Sequence, residues 1–578
     1  MARSSTPSMA GPPNREVPDL DDGEGSAPRR ARREPRLSID ARAMLELSRE
    51  TGSGEEKLDD DDAGEGESPP DSFAHARPSD FGTLLADLSR GDENPRLRVH
   101  DRTHLEVSID YDLDRKQKKQ SFVWEAYFFA PESLRLDSRT YGKQDVYEDL
   151  QSYVRLAVPE VPYETLADGP LDRIEAILRT GSTDDVIREL RLFVCQVRAA
   201  GVARRREVLA GIVGLPRERA ASIAMADQMV IDTRRLVTRM RATCAKTEGK
   251  AEPLGTAVAW VEEDLSRLLE TMLADLARTL KQADAPSATV NAVEQVAVEE
   301  ARYRDRTGLG GVGRVGMRRR ELEALEFRRH VLKRFTSSVL WLKPEVRPAS
   351  EWVLHLLYAL AASVAMGFAT MAALWNGADM SGNAARWVLV AIVAYAAKDR
   401  MKAFLQTTFA NVVSRHFPDR SWRVRAPDAG PELGTMEEQA GFLSWSELPE
   451  EVLEVRRSTR RHELEERARP ETVLFHRKQV TLQRDRIANI DERFDALTEI
   501  LRLDLRRWLA HTDDPKREFV FADPATGAVG SAVAPRVYNL GVVYRLRQCG
   551  ADAPKTCAWH RARVVVTRKG IRRIDMVQ

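Results

Sequence analysis

The chain has 578 residues, and its 89 Lys+Arg exactly offset its 89 Asp+Glu. That length allows two to four domains. With 31% charged and 43% hydrophobic residues, the composition excludes a transporter built mainly from membrane helices. Four cysteines (Cys195, Cys244, Cys549 and Cys557) are too few and too scattered for a disulfide scaffold, and they suit a reducing compartment.

Residues 1–95 read as a disordered tail rich in Pro, Ser, Gly, Asp and Glu. The first residues have no apolar core, so no cleavable secretory signal is expected. Two short stretches in the tail are apolar at helical spacing: Ile39, Ala43, Met44 and Leu47, then Phe81, Leu84, Leu85 and Leu88. They suit docking segments for unknown protein partners, or chance helical bias.

Residues 96–165 read as a small α+β unit. Leu105, Val107, Ile109 and Tyr111 alternate, and the aromatic run at 122–130 is β-prone, with a helix expected at 142–157. Over 166–341 the period turns helical, with start signals at Ser182-Thr183-Asp184, Pro216 and Pro253. This predicts a cytoplasmic helical bundle or coiled-coil-like array, whose final helix, 317–341, runs toward the membrane.

Residues 352–376 form the most apolar segment, with Trp352 and Trp375 at its ends. As a helix it would rise about 37 Å, more than the ~30 Å of a bilayer core. A second span over 381–397 is shorter and meets Lys398, Asp399 and Arg400 at once. Residues 318–347 carry nine Lys/Arg against four Asp/Glu, and residues 398–425 carry seven against two. Both basic flanks belong on the cytoplasmic side, which asks for two spans and a short outer loop. A multi-pass membrane protein with both termini cytoplasmic is therefore expected, in the inner membrane if the source is bacterial.

Small residues recur every fourth position in the first span. Ala359, Ser363 and Gly367 form one row, and Ala361, Ala365 and Ala369 begin another. Such rows allow close helix packing, either within the hairpin or between protomers of a homo-oligomer. Arg328, Arg329, Lys333 and Arg334 before the spans, and Lys398, Arg400 and Lys402 after them, are expected to meet anionic lipid headgroups rather than nucleic acid. The segment 398–425 reads as a basic membrane-proximal helix, 426–444 as a loop, and 445–578 as a C-terminal α+β domain. That domain has helices near 447–468 and 487–511 and strands at 537–547 and 558–568.

Several motifs bear on chemistry. Gly308 to Gly313 matches GxGxxG, but no strand precedes it, as phosphate binding would need. Asp110, Asp112 and Asp114 space like a calcium loop, yet Arg115 stands where the loop needs glycine. Cys549, Cys557 and His560 lack a fourth ligand for zinc. His355 lies inside the first span, where an ionisable group draws attention.

The pattern thus predicts a mostly α protein with α+β parts, in which a two-helix transmembrane hairpin is flanked by a cytoplasmic helical bundle and small β-containing N- and C-terminal units. No catalytic residue, cofactor or metal site is expected. The expected function is a membrane-anchored cytoplasmic scaffold or interaction protein, with an oligomeric two-span channel or ion transporter as the alternative.

Overall fold

A computed structural model describes residues 94–577 apart from 213–214, 248–251, 349–350, 378–383, 427–429, 458–470 and 551–557. The tail and both of its docking segments lie outside the described residues, as does Cys557. About half of the described residues are helical, alongside several sheets.

The β portion draws on both ends of the chain. A four-stranded antiparallel sheet has the order β1 (Arg96–Val99), β2 (His104–Asp112), β9 (Ala496–Asp504), β4 (Leu150–Leu156). An eight-stranded antiparallel sheet has the order β14 (Gly570–Met576), β13 (His560–Thr567), β12 (Tyr538–Cys549), β3 (Lys119–Pro131), β8 (Glu471–Gln483), β7 (Glu432–Leu443), β6 (Arg420–Arg425), β5 (Lys343–Pro348). Strand alternation explains how they stack. Phe122, Trp124, Ala126 and Phe128 of β3 share one buried core with Leu105, Ile109, Leu497 and Leu501 of the smaller sheet. Tyr127 and Phe129, on the other face of β3, are covered by Leu448 and by Val452 of α10 (Glu450–Arg457). Because β12 pairs β3 and β9 pairs β2, the early and late strands are direct neighbours in both sheets.

The bundle consists of α2 (Gly169–Thr180), α3 (Thr183–Ile212), α4 (Pro216–Ala245), α5 (Leu254–Gln282), α6 (Ser287–Thr307) and α7 (Arg319–Ser337). Its interior is aliphatic, with Val194, Met229, Val261, Leu269, Leu273 and Val293 fully buried. Leu192 and Cys195 of α3 reach instead into the β core, and Arg493 grips the buried Glu189 carboxylate at 2.6 and 2.7 Å, so the bundle is fastened to the sandwich.

Local expectations fail where strands replace helices. The helix expected at 142–157 stops at Asp149 (α1, Lys143–Asp149), and β4 follows at once because Leu150 to Leu156 pair with β9. The helix expected at 487–511 is interrupted by β9, which is flanked by the short helical segments Arg484–Ala488 and Arg506–Leu509. The loop expected at 426–444 contains β7, in which Gly434 lies so close to β8 that a Cβ would strike the Thr481 carbonyl.

Candidate functional site

Helices α8 (Glu351–Gly377) and α9 (Ala384–His416) are spliced between the edge strand β5 and its neighbour β6. Those strands are ladder partners, with Pro348 opposite Arg420. Both legs of the hairpin therefore depart from adjacent points, and the helices pack side by side in opposite directions.

Among the described residues, one helix is long and apolar enough to cross a membrane, at Val353–Trp375. It is not the core helix of a soluble domain. Leu356, Leu360, Val364, Met366, Phe368, Met371 and Leu374 all stand exposed on it. The expected second span at 381–397 does not qualify, so a two-span hairpin is not established. Its described part belongs to α9, whose apolar run ends at Lys398, Asp399 and Arg400 while the helix continues to His416.

The two small-residue rows have different fates. Ala361 and Ala365 are buried against α9, and Ala369 lines a 240 Å³ cavity between the helices with Met366, Ala373, Val390, Ala394 and Lys398. Ala359, Ser363 and Gly367 face away from the hairpin, and a Cβ on Gly367 would meet nothing within 4 Å. Close packing within the hairpin thus uses only one row.

The basic residues also divide. Arg328 is engaged bidentately by Glu263 of α5 at 2.7 Å on both nitrogens, a carboxylate it shares with Arg267 at 2.9 Å. Arg329 is exposed, 3.6 Å from Glu326, and Lys333 and Arg334 are half-buried. Moreover α7 does not run into α8. The six residues of β5 intervene, carrying the chain roughly 20 Å. On α9, Arg400 and Lys402 are exposed, whereas Lys398 turns inward with its ammonium 4.0 Å from the centre of the Tyr395 ring.

Lys398 shares its cavity with Met366. Met366 lies 13 residues after Val353 and nine before Trp375, or roughly 20 and 14 Å along the helix. The charged turn of α9 is therefore level with the middle of the apolar helix, not with its end.

Two further places gather glycine-rich backbone or buried charge. A 550 Å³ cavity lies over the glycine-rich segment, lined by Arg304, Gly308, Gly310, Gly311 and Arg314. The segment joins helix to helix, with Gly308 (φ 69°) capping α6, so the strand–turn–helix geometry of a dinucleotide site is not present there. Gly311 (φ 72°) lets the backbone lie on the Arg267 guanidinium, which a Cβ would strike.

The other place is a polar cluster between the two sheets that sequence reasoning missed. Fully buried Lys478 of β8 lies 2.7 Å from Glu438 of β7 and also pairs with Glu499 of β9. Tyr111 donates to Glu499 at 2.7 Å, and Trp422 donates to Glu438 at 3.0 Å. Burial by itself would lower the Lys478 ammonium, but the two carboxylates outweigh it and hold it above its ordinary value. Burial would likewise raise Glu438, and the Lys478 charge overrides it and holds the carboxyl below the usual range. Burial keeps the neighbouring His476 ring below its ordinary value. A charge on the inward-facing row Leu474, His476, Lys478, Val480, Leu482 would have been the sequence signal, had 471–483 been read as a strand. The cluster is a sealed ionic joint between the sheets.

Asp110 accepts the Thr498 hydroxyl at 2.6 Å, and His560 stacks on Tyr544. No group of three or more His, Cys, Asp or Glu side chains placed to hold a metal ion is found among the described residues. In comparisons with known proteins, no family matches the chain, and no curated protein or solved structure matches it significantly.

Proposed function

We propose that this is a membrane-anchored scaffold or interaction protein, its soluble module held against the cytoplasmic face of a bilayer by the α8–α9 hairpin. The observation that carries the reading is α8, which is long enough to span and exposes large apolar side chains on every side not occupied by α9. Full burial of each such side chain is worth about 1.5–3 kcal/mol, so leaving seven of them in water would be strongly unfavourable. Splicing of the hairpin into a single β ladder supports an arrangement in which α9 returns to the side from which α8 left. Arg400 and Lys402 lie beyond Lys398 toward that side, from where their long side chains can reach up to anionic headgroups.

The test exploits the pairing of Pro348 with Arg420. Residues 351–416 are replaced by a short turn, and both proteins are fractionated with and without detergent. The full chain should need detergent and the shortened chain should not. A full chain soluble without detergent, or a shortened chain that still needs detergent for extraction after an alkaline carbonate wash, would sink the reading.

An oligomeric pore or ion transporter is the second reading. The position of Lys398 beside Met366 favours it, because charge at mid-depth calls for water or a counter-charge from another protomer. Light scattering in mild detergent, corrected for the micelle, separates the two. Four or more protomers keep the pore, and a monomer or dimer removes it.

A further inference from the structure

Among the described residues, strands β10 (Lys516–Ala522) and β11 (Val529–Pro535) pair only with each other and form a ribbon that projects from the sandwich. Every residue of β10 is exposed. The ribbon is nonetheless apolar on both faces. Phe519 and Phe521 share one face with Ala532 and Gly530 opposite them, while Val520 and Val533 lie on the other. A two-stranded ribbon with both faces in water is marginal by itself.

Its place in the sheet says what meets it. Leu546, Trp124, Lys478, Glu438 and Arg420 form one row across five paired strands. From that row, the Tyr538 end of β12 extends toward Phe129, Val473 and Leu443, and the remainder of β6 extends the opposite way. The ribbon, which precedes β12, and the hairpin, which precedes β6, therefore leave the same end of the eight-stranded sheet. Charge is graded along the ribbon as well. Lys516, Arg517 and Glu518 sit at its base and the large apolar residues lie beyond them.

We propose that this ribbon is a second membrane contact, bedded in the headgroup–acyl boundary of the bilayer that holds α8. The inference rests on the membrane reading given above. A protein partner would cover one face or one edge, whereas the interfacial layer surrounds both faces and offers anionic groups to Lys516 and Arg517. Depth is limited by the unpaired outer edges of both strands, which hydrocarbon cannot satisfy. The Asp523 carboxylate at the tip accepts from the Ala525 amide and the Thr526 hydroxyl, which lets it rest in a polar layer.

The test attaches an environment-sensitive fluorophore to Val520→Cys, or separately to Phe368→Cys on α8. Each is made in the full chain carrying Cys549→Ser and Cys557→Ser and reconstituted in vesicles of mixed zwitterionic and anionic lipid. Lipids spin-labelled near the headgroup should quench position 520 more than lipids labelled at the chain end. Position 368 should show the reverse. If 368 is quenched and 520 is not, the ribbon proposal is overturned while the membrane reading stands. A blue-shifted but unquenched 520 overturns it too, in favour of cover by protein such as a second copy. If neither position is quenched, both readings fall together.

Discussion

Two lysines stand in apolar surroundings in this protein, and they are handled in opposite ways. Lys478, between the sheets, has two carboxylates, the Ser152 hydroxyl at 3.1 Å and the Trp422 ring around it. Lys398, between the hairpin helices, has the Tyr395 ring and the Asp399 carboxylate at 3.6 Å. The sandwich satisfies a buried charge completely and so uses it to join two layers. The hairpin places a charge where its own chain supplies little, which is reasonable only if headgroups, water or another protomer complete the surroundings.

The comparison can be broken by making both lysines apolar. Lys478→Met strands Glu438 and Glu499 in the core and should destabilise the sandwich by about 3–5 kcal/mol, read by denaturant unfolding. A loss below about 1 kcal/mol would mean that the carboxylates reach water or protons easily. Lys398→Met should act with the opposite sign. If Lys398 sits at mid-bilayer, the substitution should favour insertion by about 2.5–3.5 kcal/mol, and by little if it sits at the interface. Glycosylation-based insertion assays of the hairpin decide between these depths.

Acid tests the sandwich further. Glu438 has a folded value below its unfolded one, so its contribution is present above the ordinary carboxylate range and is lost as pH falls through the depressed folded value. His476, also held low, adds a loss that begins as pH falls through the ordinary imidazole range. Unfolding midpoints should therefore fall from neutral pH downward, first through histidine and then through glutamate. Midpoints that stay flat from pH 7 to pH 4 would contradict a sealed joint.

Smaller effects sharpen the account of the hairpin. Ala365→Leu overfills the α8–α9 seam and should lower thermal stability in detergent by about 1–3 kcal/mol. Gly367→Leu points into open space and should cost nothing, gaining about 0.5–1 kcal/mol from helix propensity. If it instead shifts the mass seen by light scattering, the outer row lies between protomers.

Periodicity explains which elements were readable. The apolar run at 353–375 persists on every face of a helix, and few structures other than a membrane helix tolerate that. The starts of α3 at Thr183 and α4 at Pro216 carry local signals that need no tertiary partner. The strand over 104–112 shows its alternation directly. Strand β9 shows the limit. Its sequence ALTEILRLD favours a helix by composition. It becomes a strand because β2 and β4 flank it, and Tyr111, Ser152 and Glu106 receive its charged side chains.

The apolar helix, the long bundle helices and the aromatic strands are legible in the residues alone, because each depends on neighbours close together in the chain. That early and late strands share two sheets, that the hairpin is spliced between ladder partners, and that Arg328 meets Glu263 emerges in the folded chain alone. Those outcomes depend on residues tens to hundreds of positions apart, whose mutual satisfaction in a low-dielectric interior leaves no periodic mark on the sequence.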